Sequence, residues 1–124
     1  MTPPSSSDPR LYFAAERTLL AWLRTGLTIM AFGFVVARFG LFLRLLQLQQ
    51  PAAASPNHPL TPYLGAGLVL LGAFATAFGG ARFRRFCHQV PAQDLPSPRA
   101  ALIPLTLVAA LVTAGLALVW VLLR

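Results

Sequence analysis

Two stretches of this sequence run without a charge for long enough to cross a bilayer. "YLGAGLVLLGAFATAFGGA", Tyr63 to Ala81, is 19 residues long, and "AALIPLTLVAALVTAGLALVWVLL", Ala100 to Leu123, is 24. A helix needs about 20 apolar residues to cover a hydrocarbon core of about 30 Å. In lipid the backbone must satisfy its own N–H and C=O groups, which leaves the helix as the sensible geometry. A third apolar segment, Leu19 to Leu46, is interrupted by Arg24, Arg38 and Arg44. The expected fold is therefore all-α: one integral membrane domain over residues 1–124, with three transmembrane helices. These are expected at about 9–46, 62–84 and 99–123, assembled into an oligomer around a central axis.

Composition agrees. The chain is 56% hydrophobic and 10% charged, against about 25% charged in an ordinary soluble domain. The formal net charge is +7, and every basic residue other than histidine is arginine. A soluble nucleic-acid-binding module would share the charge but not the hydropathy, so no nucleic-acid partner is expected. The single cysteine excludes an intrachain disulfide and a multi-cysteine metal site. Ten of the eleven prolines fall outside the spans, and the exception, Pro104, sits near a span's start, where its missing N–H costs little. Asp8-Pro9 has the form of an N-cap followed by a first-turn proline. Helix 1 is thus expected to open near Pro9 with an amphipathic lead-in (Arg10 to Arg17) lying at the interface, after a disordered "MTPPSSS". A cleaved signal peptide ending at Ala52–Ala54 fits poorly, because its n-region would be too long and arginines break its apolar run.

Arginine distribution sets the expected orientation. Arg10 and Arg17 precede helix 1, and Arg82, Arg84, Arg85 and Arg99 fill the loop between helices 2 and 3. This places the N-terminus and second loop in the cytoplasm, and the first loop and C-terminus outside, in a bacterial inner membrane. Trp22 then falls near the inner interface, and Tyr63 and Trp120 near the outer one. Arg82, Arg84 and Arg85 act as topology determinants that attract anionic headgroups, which makes membrane lipids a partner.

Helix 1 poses the sharper question. At 1.5 Å per residue, Arg24 and Arg38 lie only about 21 Å apart, short of the core thickness, whereas Arg17 and Arg38 lie about 31 Å apart and fit it. The frame from Arg24 to Arg44 fits as well but buries Arg38. Either frame places one arginine within the membrane, and the first, which buries Arg24, leaves Arg38 at the outer boundary. An arginine at bilayer depth costs about 2.5–3.5 kcal/mol at the centre, unless it snorkels to the headgroups. Arg17, Arg24 and Arg38 share one heptad position, with Ala31 at the missing step. Gly26, Gly33 and Gly40 repeat with the same period, about 200° around the helix from the arginines. Helix 2 repeats the device with Gly65, Gly72 and Gly79. Small residues at seven-residue spacing favour close left-handed packing, so the two glycine sides are expected to meet, with the arginine stripe turned away. Two uses of that stripe stay open. Copies of the chain around an axis would gather several copies of Arg24 around a polar lumen able to bind or conduct anions. Alternatively, the chain is a non-conducting scaffold or accessory subunit, in which Glu16 makes intersubunit ion pairs with these arginines.

"AAERTLLAWLRTGLTIMAFGFVVARFG", Ala14 to Gly40, resembles the signature of the small YidH-type membrane proteins, a domain of unknown function (DUF202), with "ERT", "AWLRT" and "FGFVVARFG" as its specific parts. It is similar to the membrane domain of the eukaryotic vacuolar transporter chaperone complex. There, membrane domains surround a pathway for polyphosphate lined by basic residues of the first helix. The resemblance implies lining roles for Arg17 and Arg24, with Arg38 at the far end and Glu16 as a structural or intersubunit partner. Phosphate or polyphosphate becomes the candidate anion. The 124 residues leave no room for the soluble polymerase and phosphate-sensing domains of that complex, so polyphosphate synthesis is not expected.

Elsewhere the sequence offers little chemistry. It has no paired carboxylates, no Ser-His-Asp set and no glycine-rich phosphate loop; neither enzymatic activity nor a cofactor is expected. Cys87 is a candidate for palmitoylation, Cys87-His88 is too small a set for a metal, and His58 reads as a solvated loop residue. Thr25, Thr28, Thr106 and Thr113 read as hydroxyls bonded within or between helices rather than nucleophiles.

Overall fold

The structure, a computed structural model, describes residues 9–49, 60–89, 99 and 101–124. The expected disorder of residues 1–7, the Asp8 cap, Ala52–Ala54 and His58 lie outside the described residues. Three helices follow in order: α1 (Pro9–Gln49), α2 (Leu60–Gln89) and α3 (Leu102–Leu123). Each is long and apolar enough to cross a membrane. Among the described residues the protein is an all-helical integral membrane protein.

Each helix takes a proline into its first turn: Pro9 opens α1, and Pro62 and Pro104 are the third residues of α2 and α3. The first four N–H groups of a helix have no intrahelical acceptor, so proline sacrifices nothing there and supplies the right φ. The helices α1 and α2 run on past the apolar segments, to Gln49 and Gln89. At 41 residues, α1 is about 60 Å long, twice the thickness of a hydrocarbon core. By contrast, the 22 residues of α3 measure about 33 Å, close to that core alone.

Glycine dictates how α1 and α2 meet. A methyl built on Gly33 would lie 2.8 Å from the Gly65 carbonyl oxygen and 2.8 Å from the Val69 nitrogen. One built on Gly65 would lie 2.7 Å from the Gly33 carbonyl oxygen, and one on Gly72 would lie 2.6 Å from Met30 Cγ. Gly26 faces Thr76, Gly40 faces Thr61, and Gly79 faces Trp22. The two backbones therefore touch along both heptad rows. Thr76 is fully buried in this seam and donates its hydroxyl to the Gly72 carbonyl at 2.9 Å. α3 packs mainly on α2. Met30, Ala66, Val69, Ala73 and Val119 form one buried cluster, and Tyr12, Leu19, Leu23 and Phe83 form another nearer the start of α1.

Candidate functional site

The side of α1 opposite the glycine seam is uncovered. Arg17, Arg24, Ala31 and Arg38 are all exposed. Beside the arginines runs a second row, Ala14, Thr18, Ala21, Thr25 and Thr28, also exposed throughout. Its alternating spacing of four and three residues is that of a packing seam, and its members are small. The threonines turn their hydroxyls back into the helix. Thr18 donates to the Ala14 carbonyl at 3.0 Å, Thr25 to Ala21 at 3.0 Å, and Thr28 to Arg24 at 2.8 Å. With its hydroxyls thus satisfied, the row presents methyl groups and leaves another backbone room to approach closely. Charge and glycine spacing mark the arginines and glycines in the sequence, and the three–four spacing of Ala and Thr is the signal for this row. Thr113 bonds back to Ala109 and Thr106 to Ile103, both within α3.

Glu16 is half-buried on the flank of this face. Among the described residues no carboxylate lies within ion-pair distance of Arg17, Arg24 or Arg38. Arg38 has its guanidinium 5.9 Å from the centre of the Phe34 ring. Arg82 borders a cavity of about 160 Å³ with Thr18 and Trp22, while Arg84 and Arg85 are exposed. Trp22 stacks edge-on to Phe78 at 5.6 Å. No group of three metal-ligating side chains occurs among the described residues.

The contacts of α3 give the relative heights of these groups. Met30 Sδ lies 2.9 Å from where a methyl on Gly115 would stand, and Ala73 Cβ lies 3.3 Å from it. Val108 meets Gly80, one residue beyond the Gly79 that faces Trp22. At the other end, Arg38 borders the same cavity as Val121 to Arg124. α1 and α3 thus run parallel, in a register that sets the middle of α3 beside Leu27 and Thr28. Arg24 lies about 5 Å along the axis from that level, and Arg17 and Arg38 about 16 Å to either side of it.

The family model described as "Domain of unknown function (DUF202)" matches residues 10–89, the glycine-packed α1–α2 pair with its arginine stripe. No curated protein and no solved structure shows significant similarity.

Proposed function

The chain belongs to the DUF202 family, and on that footing we propose that it forms a homo-oligomer whose arginine-lined lumen binds or conducts anions. The observation that carries this reading is the height of Arg24. If the 22 uncharged residues of α3 cover the hydrocarbon, Arg17 and Arg38 fall at its two edges and Arg24 falls near its centre. A guanidinium at that depth, exposed on the single chain and without a carboxylate partner, is costly against lipid. Facing copies of itself across water, the same group concentrates positive potential where an anion would pass. The adjoining row of Ala14, Thr18, Ala21, Thr25 and Thr28 supplies a surface on which a second α1 can pack.

Arg17 then marks the cytoplasmic mouth, Arg24 the constriction and Arg38 the outer end. Glu16, beside the row, is placed to pair with an arginine of the adjacent copy. Arg82, Arg84 and Arg85 lie at the cytoplasmic headgroups. Phosphate or polyphosphate is the candidate anion, because guanidinium forks match phosphate oxygens and because α1 resembles the first helix of the vacuolar transporter chaperone membrane domain. The arginines act on a passing or bound anion through charge and hydrogen bonds, and no covalent bond forms or breaks. The test is purification, measurement of oligomeric state, and phosphate flux in liposomes. The wild type should be oligomeric and pass phosphate, and Arg24→Ala should cut the flux at least about tenfold, the scale of one lost charge-assisted contact. Absent flux, or flux unchanged in Arg24→Ala, contradicts conduction through the lumen. An assembly without flux that falls apart in Glu16→Ala would make the chain a scaffold.

A further inference from the structure

At the end of the bundle where α1 and α3 finish and α2 begins there is a cavity of about 480 Å³. Three arginines border it, Arg38 and Arg44 of α1 and Arg124 just past the end of α3, with Thr61 and Tyr63 of α2 beside them. No carboxylate side chain is among its lining residues. Two of the guanidiniums lie against aromatic rings: Arg124 sits 4.8 Å above the centre of Trp120, and Arg38 lies 5.9 Å from that of Phe34. An aromatic face steadies a cation without neutralising it. α2 begins here, at Leu60, and α3 ends here, at Leu123, so the partial charges of the two helix ends offset one another and the arginines supply the net positive charge. Three positively charged residues border one concavity, and guanidiniums turned into it would favour an anion between them.

We propose that this cavity is a phosphate-binding site formed within a single chain. Guanidinium forks donate paired hydrogen bonds to phosphate oxygens, and Thr61 and Tyr63 border the same volume. The volume lies in the range of ordinary ligand sites, so it admits a phosphate with a polar group attached. The phosphate belongs to a free anion or to an anionic lipid headgroup, and the chemistry of capture is the same for both. Arg44 and Arg124 have no part in the lumen proposed above, so the site stands whether or not the assembly conducts.

Binding is measured on protein purified in maltoside micelles. Equilibrium dialysis with radiolabelled inorganic phosphate tests the free anion, and native mass spectrometry with added phosphatidylglycerol tests the headgroup. Saturable uptake of about one phosphate or one phosphatidylglycerol per chain is expected, and the arm that responds identifies the source. Removing one charge-assisted contact should weaken binding about tenfold or more in Arg44→Gln and in Arg124→Gln. Arg44→Lys should recover part of the loss, and Arg99→Gln, which removes an exposed arginine at the opposite end of α3, should bind as wild type does. Absence of saturable binding of both probes overturns the proposal. So does binding that survives Arg44→Gln and Arg124→Gln together. Binding abolished by Arg24→Gln but indifferent to Arg44→Gln would assign the anion to the lumen and remove this site, leaving the proposed function intact.

Discussion

Two glycines of α2 separate by environment. Gly72 is buried against α1, and a methyl there would lie 2.5 Å from the Gly26 carbonyl oxygen and 2.6 Å from Met30 Cγ. Gly67 has nothing within 4 Å of the same position. The backbone at Gly26 cannot yield without separating the helices, so Gly72→Ala should lose about 1–3 kcal/mol to overpacking. Gly67→Ala adds a methyl to open space and removes glycine's helix penalty, so it should gain about 0.5–1 kcal/mol. Thermal unfolding of the two variants in the same detergent checks both signs. The seven-residue period of Gly65, Gly72 and Gly79 was legible in the sequence because a glycine repeat inside an apolar run has few other causes. Gly67 and Gly80 fall outside that period, and their surroundings could be read only from the structure: Gly67 is open, while Gly80 packs against Val108 of α3.

At the scale of the element, α1 carries two small-residue rows with different jobs. The glycine row closes the contact with α2 inside one chain. The Ala14–Thr28 row is exposed and, under the proposed assembly, meets a second copy. Bulk added to either should therefore act on different levels of structure. Ala21→Leu should leave helicity and the monomer's thermal midpoint close to wild type while shifting the purified protein toward monomers. Gly33→Leu should lower the thermal midpoint itself, because the Gly65 carbonyl and Val69 nitrogen stand in its way. Circular dichroism melts and light scattering on the two variants separate these outcomes; equal loss of stability in both would show that the exposed row has no special role. The stripe of Arg17, Arg24 and Arg38 could be read from the heptad alone. The alanine–threonine row escaped because its residues are individually unremarkable and its hydroxyls bond within the helix.

For the whole molecule, the layout of three spans followed directly from apolar run length, since the bilayer fixes how long an apolar helix must be. The helix ends did not. Gln47 to Gln49 and Phe86 to Gln89 continue their helices beyond the apolar runs, and length arguments say nothing once the chain has left lipid. That Arg44 and Arg124 border one cavity was equally hidden, because it depends on the parallel register of α1 and α3, a long-range arrangement without a local signal. That register also sets the height of Arg24 relative to an uncharged helix, on which the functional proposal rests.

The central claim is that the arginine side of α1 faces water inside an assembly while α2 faces lipid at a comparable distance from the mid-level of the bundle. Leu71 is exposed on α2, next to the Gly72 that contacts Met30, and provides the comparison. With Cys87 replaced by serine, single cysteines at positions 24 and 71 are reacted with a charged, water-soluble thiosulfonate in proteoliposomes. The account predicts modification at position 24 at least about tenfold faster than at position 71, because only thiolate in water reacts readily. Equal, negligible rates at both positions would place Arg24 against lipid or a dry interface and contradict the lumen.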